Sequence, residues 1–210
     1  MTRFPYRSAG LVLGLAAALA APAALAKNTI IIGMQQEPTV LDPTVDATAA
    51  IDGIFAHNVY ESLTSVTESG EVVPALAEAW TISPDGRVYT FDLADGVTFH
   101  DGTAFDAADV KFTFDRAMAE DSVNPTKGIF KPIRSVEAVD PGTVRITLSE
   151  PDAFFLFNIA QGDAAIVAPE SAAANKTDPV GTGPYRFEDW TRGSALSLVK
   201  YPAHRDAAEV

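Results

Sequence analysis

"RVYTFDLADGVTFHDGTAFDAADVKFTFDRAM", residues 87–118, switches from one hydrophobic period to another within a single stretch. Tyr89, Phe91 and Leu93 alternate with Val88, Thr90 and Asp92, the period of two that gives a strand one buried face. Asp95-Gly96 and Asp101-Gly102 then supply turn chemistry, as Pro84-Asp85-Gly86 does before the strand. Asp106 stands where a helix N-cap belongs, with Asp109 three residues on; carboxylates there accept orphan N–H groups and complement the helix dipole. Val110, Phe114 and Ala117 or Met118 mark the buried face of that helix, and Lys111 can pair with Asp115 four residues later. The dense His100, Asp101, Asp106 and Asp109 group therefore reads as turn and cap rather than as a metal or acid–base site, since zinc sites need more histidine or cysteine.

Outward from this unit, "IRSVEAVDPGTVRITLSE" (133–150) reads as strand, turn at Asp140-Pro141-Gly142, and strand, with Val144, Ile146 and Leu148 on one face. Ser149 and Asp152 have capping-box spacing and Pro151 suits a first helical turn, so "AFFLFNIA" (153–160) is expected as a short apolar helix. Upstream, Ile51, Phe55, Val59 and Leu63 predict one helix face with His57 beside it, and Ile30–Ile32 predict a strand breaking at Gly33 and Pro38. Downstream, an apolar strand should end at Pro169, followed by a small-residue helix and loop. Gly181, Gly183 and Pro184 then lead into a strand through Tyr185 and Phe187. Phe154, Phe155 and Trp190 are assigned to the core.

Residues 1–26 carry Arg3 and Arg7, an apolar run, and Ala24 and Ala26 before Lys27, the layout of a cleaved secretory signal peptide. The chain has 28 acidic against 15 basic residues and a net charge of −13, a surface that repels phosphate backbones and argues against nucleic-acid binding. Without cysteine, disulfides and thiolate metal sites are excluded. No GxSxG or HExxH occurs. The SxxK match at Ser197–Lys200 falls in a strand pattern, whereas in enzymes that use the pair it opens a helix. No catalytic residue, cofactor or metal site is expected.

Taken in order, "QQEPTVLDP" (35–43), "PALAEAWTISPDGRVYTFDLADGVTFHDGTAFDAADVKFTFDRAM" (74–118), "VDPGTVRITLSEP" (139–151) and "VGTGPYRFEDWTRGSALSLVKYP" (180–202) resemble family 5 of the bacterial extracellular solute-binding proteins. These are periplasmic peptide, dipeptide and nickel receptors of ABC importers. The resemblance implies an α/β, periplasmic-binding-protein-like two-lobe fold of type II, with mixed sheets and flanking helices. Residues 27–46 would begin lobe I, 47–168 form the smaller lobe II, and 169–210 return to lobe I. Members are longer, so the chain is expected to be truncated, with the C-terminal domain missing and the usual aromatic signature altered to Tyr201-Pro202 and His204-Arg205. Capture of a short peptide or related small solute by lobe closure, delivery to an inner-membrane ABC permease, and a monomeric state follow as implications. Glu37, Pro38 and Thr39 align with the loop that meets peptide ligands. Glu37 would pair with an α-amino group or simply face solvent. Gly181 and Gly183 are read as serving backbone geometry. An exported hydrolase with an unrecognised carboxylate site, or a non-functional remnant, are the alternatives.

Overall fold

The structure is a computed structural model that describes residues 28–208, so the expected signal peptide at 1–26 lies outside the described residues. The chain divides into two compact units, Met1–Gly33 and Met34–Val210. In the first, Ile30, Ile31 and Ile32 are exposed and form no strand. Their apolar pattern is that of a strand, but among the described residues nothing pairs with them, and a strand exists only through a partner.

The second unit is organised around a four-stranded antiparallel sheet of order β3-β4-β6-β5, made of β3 (Ala77–Ile82), β4 (Val88–Leu93), β5 (Ile133–Asp140) and β6 (Thr143–Leu148). Burial alternates along β4 and β6 as the sequence requires: Tyr89, Phe91, Leu93, Val144, Ile146 and Leu148 face inward. Helix α2 (Ala107–Met118) packs on β5 and β6 and buries Val110, Phe114 and Ala117. Aromatic rings pack connecting segments onto each layer: Phe114 of α2 meets Phe130 edge-on at 5.6 Å, and Tyr89 of the sheet meets Phe155 at 4.7 Å. Tight turns connect the layers, with Gly86 at φ 70°, Gly96 at 69° and Gly102 at 89°, the left-handed conformations that favour glycine.

The N-terminus of α2 has the expected Asp106 N-cap, and Asp109 completes a capping box. The Asp106 carboxylate accepts the Ala108 N–H at 2.7 Å, and Asp109 Oδ2 accepts the Asp106 N–H at 2.9 Å. Burial raises the Asp109 pKa to about 6, against the opposing pull of that backbone bond. Replacing Asp106 by alanine removes an N-cap acceptor and should cost about 1 kcal/mol. Urea titration at neutral pH should show the midpoint falling with an unchanged slope.

A second apolar cluster gathers Leu41, Ile51, Phe55, Val59 and Tyr60 with Ala165 and Val167, covered by Phe187, Trp190, Leu196 and Leu198. The expected helix over 51–63 is shorter: α1 spans Ala49–Phe55. Ala56 is extended and His57 adopts φ 62°, so the chain leaves the helix there, while the Val59 and Tyr60 N–H groups both return to the Phe55 carbonyl. Val59 and Leu63 are buried at helical spacing but from a loop, and His57 is exposed. The short pair β1 (Thr64–Val66) and β2 (Val72–Pro74) follows.

Further expectations are corrected. Helix α3 is a single turn, Phe155–Asn158, with no side-chain cap; Ser149 Oγ instead donates to the Pro132 carbonyl. Phe154, just before it, is exposed, whereas Phe155 is core. Residues 165–168 are buried but not a strand, and 170–178 are turns rather than a helix. The buried run satisfies its backbone elsewhere: Ile166 N–H donates to the Glu61 carbonyl, and Val167 exchanges two bonds with the Thr113 hydroxyl. The hairpin β7 (Tyr185–Thr191) and β8 (Ala195–Lys200) closes the unit, with Ser197 and Lys200 on a strand as predicted.

Candidate functional site

The loop 34–46 that carries Glu37, Pro38 and Thr39 is held by groups from far along the chain. Pro38 is buried, while Glu37 and Thr39 are exposed. Glu37 Oε1 accepts the Trp190 indole N–H at 2.9 Å and the Gly193 N–H at 2.7 Å. Gly193 sits at φ 71° in the turn between β7 and β8, which turns its amide toward the loop. Arg192 lies over the Trp190 ring at 4.1 Å and donates to the Thr39 carbonyl at 3.5 Å. The Thr39 hydroxyl donates to Asp46. Both bonds to Glu37 fall on Oε1, and among the described residues none is made to Oε2. A positioned carboxylate with one oxygen available can accept a charged N–H donor with little ordering cost.

Trp190, assigned to the core from sequence, is half-buried: its ring covers the second cluster and its N–H orients Glu37. That dual use of an amphipathic ring has no periodic signature. The Arg192-Gly193 turn was the available signal.

Behind this loop, two stitches fix the return of the chain. The first centres on His100. Its backbone N–H donates to the Gly181 carbonyl at 2.9 Å, its Nδ1 accepts the Gly181 N–H at 3.3 Å, and its Nε2 meets the Gly183 carbonyl at 2.9 Å. An N–H facing Nδ1 and a C=O facing Nε2 define the neutral ring protonated on Nε2. Tyr201 packs edge-on at 4.8 Å, its hydroxyl donating to the Phe99 carbonyl. Burial lowers the His100 pKa, with the Gly183 bond opposing. A depressed folded pKa means His100 contributes stability above its unfolded value near 6.5, and that contribution is lost as pH falls through the folded pKa. Thermal melts between pH 7.5 and 5 should therefore show a loss of stability that His100→Gln reduces.

The second stitch is the buried Glu61. Arg205 grips both carboxylate oxygens, and His204 Nε2 lies 3.8 Å from Oε2. Burial pushes the Glu61 pKa up, but His204 and Arg205 together outweigh it and leave it lowered. The glycines do serve backbone geometry: the Gly183 N–H donates to the Val59 carbonyl at 3.0 Å in a crossing too close for a side chain. Four further carboxylates behave as turn residues, Asp85, Asp101, Asp140 and Asp152 each accepting a nearby N–H. Among the described residues no group of three or more His, Cys, Asp or Glu is gathered as a metal would need, and no helix is long and apolar enough to cross a membrane.

Comparison with known proteins places this architecture. The chain is 36% identical over 208 residues to the glutathione-binding protein GsiB of Salmonella paratyphi A, covering 97% of this chain and 40% of that protein. Among solved structures, the periplasmic binding protein AgaA of A. tumefaciens R10, in complex with agropinic acid, superposes with a TM-score of 0.75 at 29% identity. That match covers 80% of this chain and 35% of AgaA. The periplasmic binding protein DppA from Helicobacter pylori, in complex with the peptide STSA, gives 0.68 at 31% identity, covering 80% and 38%. The chain thus spans about 40% of the curated relatives it matches, and its α/β fold is that of the type II periplasmic binding proteins. The family "Bacterial extracellular solute-binding proteins, family 5 Middle" matches residues 71–209, the span holding the four-stranded sheet, α2 and the His100 stitch, and the chain belongs to that family.

Proposed function

We propose that this chain is the solute-binding component of an ABC importer. It is exported to the periplasm by residues 1–26, captures short peptides or a peptide-like solute such as glutathione by lobe closure, and hands them to a membrane permease. Residues 27–46 and 169–210 contribute to lobe I and 47–168 form lobe II. The protein acts by binding and performs no bond-breaking step; the ligand favours the closed state only through better contacts there. Glu37, Pro38 and Thr39 line the ligand side of lobe I. The observation that carries the reading is the family match, joined to relatives whose solved complexes hold small solutes and a peptide. The carboxylate of Glu37, held on Oε1 and open on Oε2, suits a ligand α-amino group.

The test is thermal stabilisation of the full native protein by glutathione and by a dipeptide library. Saturable stabilisation with the ligand recovered intact is expected. Cleaved products would favour a hydrolase instead. Glu37→Gln keeps an acceptor for Trp190 and Gly193 but removes the charge. It should weaken ligands with a free amino group about tenfold, the loss of about 1.4 kcal/mol, and leave N-acetylated ligands unaffected. Equal weakening of both would remove Glu37 from the site.

A further inference from the structure

A cleft of about 220 Å³ opens at the C-terminal end of α2. It has room for a free amino acid and is open to solvent on one side. Its walls carry opposite charges from different parts of the chain: Arg116 from the last turn of α2, Asp163 from the 3₁₀ turn Gly162–Ala164, and Asp121.

Arg116 is held but not saturated. Nη1 donates to Thr44 Oγ1 at 3.3 Å, and Nη2 lies 3.7 Å from Asp42 Oδ2, beyond hydrogen-bond distance. A guanidinium offers five N–H donors in a planar fork, and this side chain is 30% exposed in the cleft wall. Asp163 is the converse case. It is 9% exposed, and its Oδ1 has no hydrogen-bond partner. The Asn124 side-chain amide fixes its position by donating to its backbone carbonyl at 2.8 Å. Oδ1 is closed to solvent, so a ligand in the cleft meets the charge of the carboxylate and not that atom. Burial raises the Asp163 pKa, the Thr126 hydroxyl opposes the rise, and the Asp52 charge in the adjoining cleft adds to it. An ammonium group in the cleft balances the carboxylate charge, and the helix C-terminus beside it favours a cation.

We infer that this cleft binds a small α-amino acid zwitterion, its carboxylate on the Arg116 fork and its ammonium group on Asp163. A simple anion fits poorly, because Asp121, Asp163 and the buried Asp42 surround the one guanidinium. A simple amine leaves the Arg116 fork facing a cation. A metal lacks the donor set among the described residues. The cleft takes Thr44 from the loop that carries Glu37 but none of Glu37, Pro38 and Thr39, and it does not depend on the proposed transport role.

The test is titration of the ¹⁵N-labelled native protein with L-serine, read by amide shifts. Saturable shifts at Ser122, Asn124 and Asp163 are expected in the millimolar range, about −4 kcal/mol. Ethanolamine, lacking the carboxylate, and N-acetylserine, lacking the ammonium, should each bind at least about tenfold more weakly. Asp163→Asn should weaken serine by a similar factor without lowering the melting temperature, because it removes an unpartnered charge. Absence of shifts at these amides up to about 50 mM serine overturns the inference, as does equal binding of ethanolamine. The analogue series uses the unmodified protein and decides the matter even if a variant folds poorly.

Discussion

Gly181→Ala should lower the melting temperature by about 10 °C, the largest loss expected from adding a single methyl group to this chain. A Cβ built there lies 2.0 Å from the Val59 carbonyl oxygen and 2.8 Å from its carbon. Both are backbone atoms, so no rotamer change relieves the overlap. The 181–185 segment must withdraw from 58–60. Withdrawal stretches the Gly183 N–H bond to Val59 and the Tyr185 N–H bond to Asn58, and it pulls the Gly181 carbonyl from the His100 N–H. Overpacking alone costs about 1–3 kcal/mol, and each buried polar group left unpaired adds about 1–3 kcal/mol. A net loss of about 3–4 kcal/mol is therefore expected, at roughly 2–4 °C per kcal/mol for a domain of this size. Gly128→Ala is the control: nothing lies within 4 Å of its added Cβ and no positive φ is required there. It should leave stability unchanged or raise it by about 0.4–1 kcal/mol. Differential scanning calorimetry of both variants checks the pair, and a Gly181→Ala melt within a degree or two of the parent would show that the two backbones do not cross tightly.

This crossing also marks where sequence reasoning stops. The alternation in β4 and β6, the Asp-Gly turns and the Asp106–Asp109 box are local, so neighbouring residues carry the whole signal. Glycines at 181 and 183 announce a close approach but not to what, because the partner lies more than 120 residues away at 58–60. The same distance hides the fixing of Glu37 by Trp190 and Gly193. Residues 165–168 illustrate a different failure. A short buried apolar run has the composition of a strand, but here the Thr113 hydroxyl and the Glu61 carbonyl take its hydrogen bonds, and among the described residues no strand pairs with it. For α1, apolar spacing continued to Leu63 while Ala56 had already turned extended; burial kept the period after the helix had ended. Site residues drawn from the family resemblance could be located, but their partners could not.

Arg205→Ala should destabilise the protein by about 3–5 kcal/mol at pH 7, more than Glu61→Gln does. The asymmetry follows from burial. Glu61 has a side chain only 9% exposed, whereas that of Arg205 is 28% exposed and can swing into water if its partner is lost. Removing Arg205 strands a buried carboxylate, with His204 Nε2 at 3.8 Å as the nearest cation source. Removing the Glu61 charge leaves an exposed-edge guanidinium and an amide that still accepts one bond. In the parent protein the Glu61 pKa is lowered, so its contribution is present at neutral pH and is lost only as pH falls through that lowered value. In Arg205→Ala the lowering by Arg205 is lost while the His204 and Thr182 contributions remain, so the Glu61 pKa rises from its lowered value and the variant protonates Glu61 at a higher pH than the parent does. The gap between their urea midpoints should therefore narrow as pH falls. Adding Glu61→Gln to Arg205→Ala should recover much of the loss, giving a coupling energy of about 1–3 kcal/mol in the double-mutant cycle. A gap that stays constant with pH, or a double variant no better than Arg205→Ala alone, would mean that the end of the chain is held by packing around Tyr201 and not by the ion pair.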